Sequence, residues 1–214
     1  MELPLPLDFH APILPPGLLL KPRAIDLPSQ KRLFAALGAI LQAAPPILAR
    51  VKGGGKTSAA MSNCGPLGWW SDAKGYRYEA RSPVTGQPWP AFPVVFLDLV
   101  RRITADTSWP DFTPDACLIN FYGTGARMGL HQDKDERDFT QPIVTVSLGD
   151  TADWLIGGAT RTTKARAFTL SSGDVLVMGG PARRLFHGVR KVHPGTSPLP
   201  EIAGRYSLTF RKAL

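Results

Sequence analysis

Hydrophobic positions along the chain change their period near residue 110. Upstream, two sets fall at helical spacing: Leu33, Phe34, Leu37, Ile40 and Leu41, then Phe96, Leu97, Val100 and Ile103. Apolar residues recurring every three or four positions form one stripe of a helix, and both stripes read as core packing. The first helix is predicted to begin with Ser29 as its N-cap and to end at Ala44-Pro45-Pro46, where proline cannot continue it. The second is predicted over residues 94–104. Downstream the period becomes two. Short strands are predicted at Cys117–Tyr122, Ile143–Leu148, Trp154–Ile156, Ala167–Leu170, Val175–Met178, Phe186–Val189 and Tyr206–Phe210. Gly173-Asp174 and Gly179-Gly180-Pro181 are turn signals between them. Val144, Val146 and Leu148 alternate with Ile143, Thr145 and Ser147, as in a strand with one polar-lined face. Short strands divided by such turns suggest a jelly roll or a similar barrel.

Residues 1–27 are rich in proline and are expected to wrap the surface in extended form. The segment from Arg50 to Pro90 has a different character. It holds Gly53-Gly54-Gly55, the basic residues Arg50, Lys52, Lys56, Lys74, Arg77 and Arg81, and only Asp72 and Glu79 as acids. Trp69, Trp70, Tyr76, Tyr78 and Trp89 are interleaved with them. Rings that stack on base faces, set among cations that neutralise phosphate, are what a platform for unstacked bases requires. Trp89, between prolines, is expected to cover the barrel instead.

Composition sharpens this picture at one point. Hydrophobic residues at 43% and charged residues at 20% are ordinary for a globular chain, but a net charge of +8 is not. It favours a polyanionic partner, nucleic acid ahead of an anionic membrane surface. Cys64 and Cys117 have no close spacing, so neither a disulfide framework nor a zinc knuckle is expected, and reduced thiols fit a cytoplasmic protein. The N-terminus lacks a basic region followed by an apolar run, and Leu18-Leu19-Leu20 is too short to span a bilayer, so no membrane partner is expected.

The candidate chemistry lies in His131-Gln132-Asp133 and in His187. Two imidazoles and one carboxylate form the facial set that holds iron(II) and leaves coordination positions open. On an extended segment, residues two apart share a side, so His131 and Asp133 can grip one ion, and a second strand can bring in His187. His193 is the rival ligand, but it precedes Pro194 in a turn-like stretch, which favours His187; His10 is expected to be solvated. The strand Arg205-Tyr206-Ser207-Leu208-Thr209-Phe210-Arg211 places Arg205, Ser207, Thr209 and Arg211 on one face. Two inward arginines need an anion, since a buried unpaired charge is costly. A dicarboxylate cosubstrate beside a metal would supply it.

These residues resemble the AlkB-type iron(II)- and 2-oxoglutarate-dependent dioxygenases that repair alkylated nucleic acid. The resemblance runs through Met61-Ser62-Asn63-Cys64-Gly65, Gly68-Trp69, Cys117-Leu118-Ile119-Asn120-Phe121-Tyr122 and Leu130-His131-Gln132-Asp133-Lys134-Asp135-Glu136. It continues through Pro142-Ile143-Val144, Gly157-Gly158, Ser172-Gly173-Asp174-Val175, His187-Gly188 and the strand from Arg205 to Arg211, covering residues 60–211. It implies a mainly β protein with flanking helices, its double-stranded β-helix (jelly-roll) core capped by a nucleotide-recognition lid. One domain over 1–214 would divide into an N-terminal extension and helix (1–45), the lid (46–90) and the dioxygenase core (91–214). His131, Asp133 and His187 would hold Fe(II). Asn120, Tyr122, Arg205, Ser207, Thr209 and Arg211 would surround 2-oxoglutarate, one arginine near each end. Trp69 would stack on the damaged base with the His131 ring on its other side. Tyr76 and Tyr78 would contact the nucleotide, and Asp135 and Arg161 would line the base pocket. Glu136 is read as part of a solvated charge cluster.

The implied reaction is oxidative demethylation of N1-methyladenine- or N3-methylcytosine-type bases with O2 and 2-oxoglutarate, releasing succinate, CO2 and formaldehyde. Alkylated DNA, single-stranded or with the base flipped out, would be the substrate of a monomeric enzyme, with RNA as a second substrate. The alternative is a hydroxylase of the same core acting on a protein or small molecule, and the basic aromatic lid counts against it. Two positions depart from the family: Ser207 stands where it commonly has Asn, and Met178 where the best-known relatives carry Trp. Both bear on 2-oxoglutarate affinity and turnover.

Overall fold

The structure, a computed structural model, describes residues 13–50 and 54–214. The expectations for residues 1–12, including His10, and for Lys52 and Gly53 lie outside the described residues. Strand β1 (Leu18–Lys21) leads into helix α1 (Leu27–Ala43), then β2 (Ala60–Cys64), β3 (Gly68–Asp72), β4 (Gly75–Glu79) and helix α2 (Val94–Thr104). The strands β5 (Ala116–Tyr122), β6 (Met128–His131), β7 (Ile143–Gly149), β8 (Thr151–Ile156) and β9 (Arg166–Leu170) follow. The chain closes with β10 (Val175–Met178), β11 (His187–His193) and β12 (Arg205–Arg211).

Two sheets make the core. The larger runs β1-β10-β7-β12-β5-β2 and the smaller β6-β11-β8-β9, with β3 and β4 forming a separate hairpin. The period-two alternation sorts side chains between two cores. Val144, Val146, Leu148, Val175, Val177, Leu208 and Phe210 turn to one face of the large sheet, where they meet Leu33, Leu37, Ile40, Phe96, Val100 and Ile103 of the helices. Ile143, Leu176 and Met178 turn the other way, toward Trp154, Ile156, Val189 and Val192 of the small sheet. Burial of these two apolar layers is the main driving force for closing the jelly roll.

Several local expectations are corrected. The α1 N-cap is Asp26, whose carboxylate accepts from the Ser29 backbone N–H at 2.8 Å; Ser29 therefore lies inside the first turn. On α2, Leu99 is buried and Leu97 only half-buried, so the buried stripe is rotated. Residues 18–21, within the expected surface wrap, form an edge strand on β10. Residues 60–64, within the expected lid, pair with β5 as the opposite edge of the large sheet. His193 is the last residue of β11 rather than a turn residue. β6 gave no sequence signal, being short and built from Met-Gly-Leu-His. Trp89 is buried, as expected, and its indole N–H donates to the Glu79 carbonyl at 2.8 Å. Among the described residues, no helix is long and apolar enough to cross a membrane.

Glycine matters where β11 crosses β6. A Cβ on Gly188 would lie 2.5 Å from the Met128 carbonyl oxygen, a backbone atom that cannot move without parting the strands. Gly188→Ala is therefore expected to lower stability by about 1–3 kcal/mol and to weaken iron(II) binding by displacing His187 from His131. Urea unfolding and a metal titration check both effects; normal metal affinity in the variant would contradict the second.

Candidate active site

The pairing of β6 with β11 sets His131 directly opposite His187, their ring centroids 4.4 Å apart. Asp133 follows two residues after the end of β6, and its two carboxylate oxygens each lie 3.7 Å from one Nε2, Oδ1 from His131 and Oδ2 from His187. The three candidate ligand atoms lie within 4.8 Å of one another, so they could hold a metal ion. Each imidazole Nδ1 is 3.0 Å from a backbone carbonyl, Gly129 for His131 and Leu185 for His187. A carbonyl only accepts, so each Nδ1 carries the proton and each Nε2 keeps its lone pair toward the centre. Trp154 stacks on the His187 ring at 5.5 Å and holds its plane.

Burial, with the neighbouring His131, pushes the His187 imidazole down to about 4, so it is neutral and ready to ligate at ordinary pH. Burial alone would raise the Asp133 carboxyl; Arg211 foremost, with both imidazoles, holds it well below the usual carboxylate range. A neutral His187 and an ionised Asp133, with the His131 Nε2 beside them, fit a divalent iron.

The two arginines of β12 are not equivalent. Arg205 is 1% exposed and donates one hydrogen bond, from Nη2 to the Ser147 hydroxyl at 2.9 Å. Its Nε and Nη1 have no partner, nor has the buried Asn120 Oδ1. Desolvation pulls Arg205 down to about 10, which leaves it a cation with a neutral partner at pH 7. Arg211 is instead committed: Nη2 bonds Asp133 Oδ2 at 2.7 Å and Nη1 donates to the Tyr78 hydroxyl at 3.2 Å, while Nε makes no hydrogen bond but lies 3.6 Å from Glu136 Oε1. The orphaned donors fit a bound carboxylate compound, since each would otherwise carry its full desolvation cost. Tyr122, Ser207 and Thr209 line the same cavity of about 490 Å³. So does Met178, as part of its apolar wall. Arg205 lies on the Ser207 face of β12 without itself forming that wall.

Two sequence readings change here. Glu136 is not solvated: it is 5% exposed, accepts from Arg183 Nη2 at 3.0 Å and from the Tyr78 hydroxyl at 2.5 Å. Tyr78, expected at the nucleotide, is spent inside this network and does not line the cavity. Desolvation holds its phenol well above the ordinary range. Arg77 is likewise tied to Asp72 at 2.9 Å and Glu79 at 2.5 Å, so it is not a free cation of the hairpin.

At the mouth, Trp69, Tyr76, Asp135 and Arg161 all line the cavity. Trp69 stacks on Tyr76 at 5.5 Å, and its indole N–H donates to Asp135 Oδ2 at 2.8 Å. The ring and the carboxylate are thus one unit, although they come from distant segments. Arg161 is exposed, with its guanidinium 5.2 Å from the Phe186 ring centroid. The rival His193 lies elsewhere, its Nε2 2.9 Å from Asp153 Oδ1.

Sequence reasoning missed Arg183, Ser147, Trp154, Met61 and Gln132. Arg183 binds the Asp133 carbonyl at 2.9 Å as well as Glu136, yet in sequence it is one of two arginines in a turn. The polar face of β7 was legible, and Ser147 on it could have been picked out as an arginine partner.

Comparison with known proteins agrees with this site. A family model described as the 2OG-Fe(II) oxygenase superfamily matches residues 17–211. The chain is 46% identical over 198 residues to the alpha-ketoglutarate-dependent dioxygenase AlkB homolog of Caulobacter vibrioides, covering 92% of this chain and 88% of that protein. It is 48% identical over 161 residues to the alpha-ketoglutarate-dependent dioxygenase AlkB of Escherichia coli, covering 75% and 74%. The solved structure of OsALKBH1 superposes with a TM-score of 0.77 at 30% identity, covering 93% of this chain and 99% of that one. The chain belongs to the 2OG-Fe(II) oxygenase superfamily and, within it, to the AlkB-type dioxygenases, which use iron(II), 2-oxoglutarate and O2.

The buried His187 gives a sign to the pH dependence. Its folded value of about 4 lies below the ordinary 6.5, so between those values the unfolded chain binds more protons and stability rises with pH. Acidifying the metal-free protein from pH 7 to 4 is expected to lower its unfolding midpoint, and His187→Gln is expected to flatten that slope. Melting curves across the window decide it; equal slopes for both proteins would refute the assignment.

Proposed function

We propose that this chain removes methyl groups from N1-methyladenine- and N3-methylcytosine-type bases in DNA, with RNA as a second substrate. The observation that carries this reading is the Trp69–Asp135 pair, a ring and a carboxylate hydrogen-bonded at 2.8 Å at the mouth of the cavity that holds the His–Asp–His cluster. Relatives named as a DNA N(6)-methyladenine demethylase of Arabidopsis thaliana and a tRNA demethylase of Schizosaccharomyces pombe, and the net charge of +8, support a nucleic-acid substrate.

In this reading His131, Asp133 and His187 hold Fe(II) through two Nε2 atoms and a carboxylate. Arg205 pairs with one carboxylate of 2-oxoglutarate, aided by Asn120, Tyr122, Ser207 and Thr209. Arg211 fixes Asp133 and, lining the same cavity, lies near the other end of the cosubstrate. Bound iron(II) with O2 and 2-oxoglutarate supplies the oxidation, so that the N-methyl carbon is hydroxylated and lost as formaldehyde while the cosubstrate becomes succinate and CO2. Trp69 stacks on the base, Tyr76 meets the nucleotide backbone, and Arg161 lines the base pocket. Asp135 favours the cationic lesion, and methylation breaks Watson–Crick pairing, which lowers the few kcal/mol needed to flip the base out. The segment 46–90, apart from the β2 edge strand, acts as the nucleotide-recognition lid of a single domain. The proposal also takes the protein as a monomer in a reducing cytoplasm, where its two free cysteines would stay reduced.

The test is incubation with iron(II), ascorbate, 2-oxoglutarate and an oligonucleotide bearing one N3-methylcytosine. Loss of methyl coupled to succinate release is expected; succinate formation without methyl loss on any oligonucleotide would favour the protein or small-molecule hydroxylase. Trp69→Ala is expected to weaken oligonucleotide binding by about 1–3 kcal/mol and leave 2-oxoglutarate binding unchanged, whereas Arg205→Ala weakens 2-oxoglutarate by about 1.5–3 kcal/mol. Calorimetry with each ligand separates the two, and a reversed pattern would overturn the assignment.

A further inference from the structure

Gln132 links the cavity to a second surface. It lines the cavity between His131 and Asp133, and its side-chain amide donates to the Arg184 carbonyl at 2.6 Å. Beyond that contact lies an open groove lined by Trp109, Phe139, Thr140, Pro181 and Arg184. Both arginines of the Arg183–Arg184 pair lie over the Phe139 ring, at 5.4 and 5.2 Å from its centroid. They differ in what else they do. Arg183 is buried, and its guanidinium is spent on the Gln141 and Asp133 carbonyls and on Glu136. Arg184 is exposed, and among the described residues its guanidinium has neither a hydrogen bond nor an ion pair.

The groove is also stiff. The Trp109 indole N–H donates to the Thr140 carbonyl at 2.9 Å, and a Cβ on Gly179 would fall 2.1 Å from the Trp109 ring, so this indole is seated directly against the backbone. The carboxylates nearby are occupied. Asp138 Oδ1 accepts from the Thr140 N–H at 2.8 Å and its hydroxyl at 2.6 Å, and Glu136 is paired with Arg183. The groove therefore presents two half-exposed aromatic rings and, over one of them, the exposed Arg184 guanidinium without an ion pair among the described residues.

We propose that this groove is a second nucleotide subsite. It takes an unpaired base of the same strand that delivers the alkylated base to the cavity, stacked on the Phe139 face that Arg184 covers, with the Arg184 guanidinium moved onto the adjoining phosphate. Stacking on a ring beside a cation is how single strands are held without regard to sequence. The site rests on the reading of the protein as a nucleic-acid demethylase and extends it to single strands longer than the target nucleotide.

The experiment compares single-stranded oligonucleotides carrying one N3-methylcytosine: a trinucleotide, and versions extended by several nucleotides on the 5′ side only or the 3′ side only. Wild-type protein is expected to bind one extended version more tightly than the trinucleotide. Phe139→Leu, which keeps an apolar side chain but no ring face, and Arg184→Ala are expected to lose about 5- to 150-fold of that gain. Arg184→Ala should also reduce the slope of log affinity against log salt by about 0.7. Demethylation of the trinucleotide should be unchanged in both variants, and their melting curves report whether they fold. Wild-type affinity of both variants for the extended oligonucleotides overturns the subsite, as does an equal loss on short and extended ones. If wild-type protein demethylates no oligonucleotide, the proposed function fails instead, and binding of the unmethylated extended strands still reads the groove.

Discussion

Three guanidinium groups are buried inside this barrel, and they must find anions. Arg183 meets Glu136, and Arg211 meets Asp133, so these two charges are compensated within the chain. Arg205 has a serine hydroxyl and no carboxylate of its own within bonding reach. A buried cation left this way costs several kcal/mol of desolvation. In the proposed reading, an anionic cosubstrate would complete the charge balance that folding leaves open.

The same charges tie the parts of the site together. Tyr78 comes from the β3–β4 hairpin, Glu136 from the loop after Asp133, and Arg211 from the large sheet, yet the three form one hydrogen-bonded chain that ends on a candidate iron ligand. Movement of the hairpin would therefore be felt at Asp133. On the opposite side, Trp69 of the same hairpin holds Asp135. The proposed base contacts and the candidate iron ligand are thus joined through hydrogen bonds along the segment from Asp133 to Glu136.

Stability and chemistry share the two sheets unevenly. The helix-facing layer of β7, β10 and β12 is wholly apolar packing, while the opposite face of β7 and β12 carries Thr145, Ser147, Ser207 and Thr209. One strand thus serves the core and the site by alternation alone. The Ser207 hydroxyl sits in register with Asn120 on one side and Ser147 on the other, so the small side chain leaves the buried Asn120 oxygen without a protein partner.

Much that depends on period was legible in the chain, although the buried stripe of α2 came out rotated, with Leu99 in place of Leu97. The α2 bounds, the two faces of β7 and the inward row from Arg205 to Arg211 could be read from spacing of three to four or of two residues, because neighbours along the chain fix those faces. The His-x-Asp pair was legible for the same reason. What only the tertiary structure decided were relations between distant segments. The β6–β11 register chose His187 over His193, and burial turned Glu136 from a surface acid into the partner of Arg183. It also split Arg205 from Arg211, identical in sequence pattern but not in the carboxylates that folding brings beside them. Pairing across strands and desolvation are set by residues tens of positions away, and no local period carries that information.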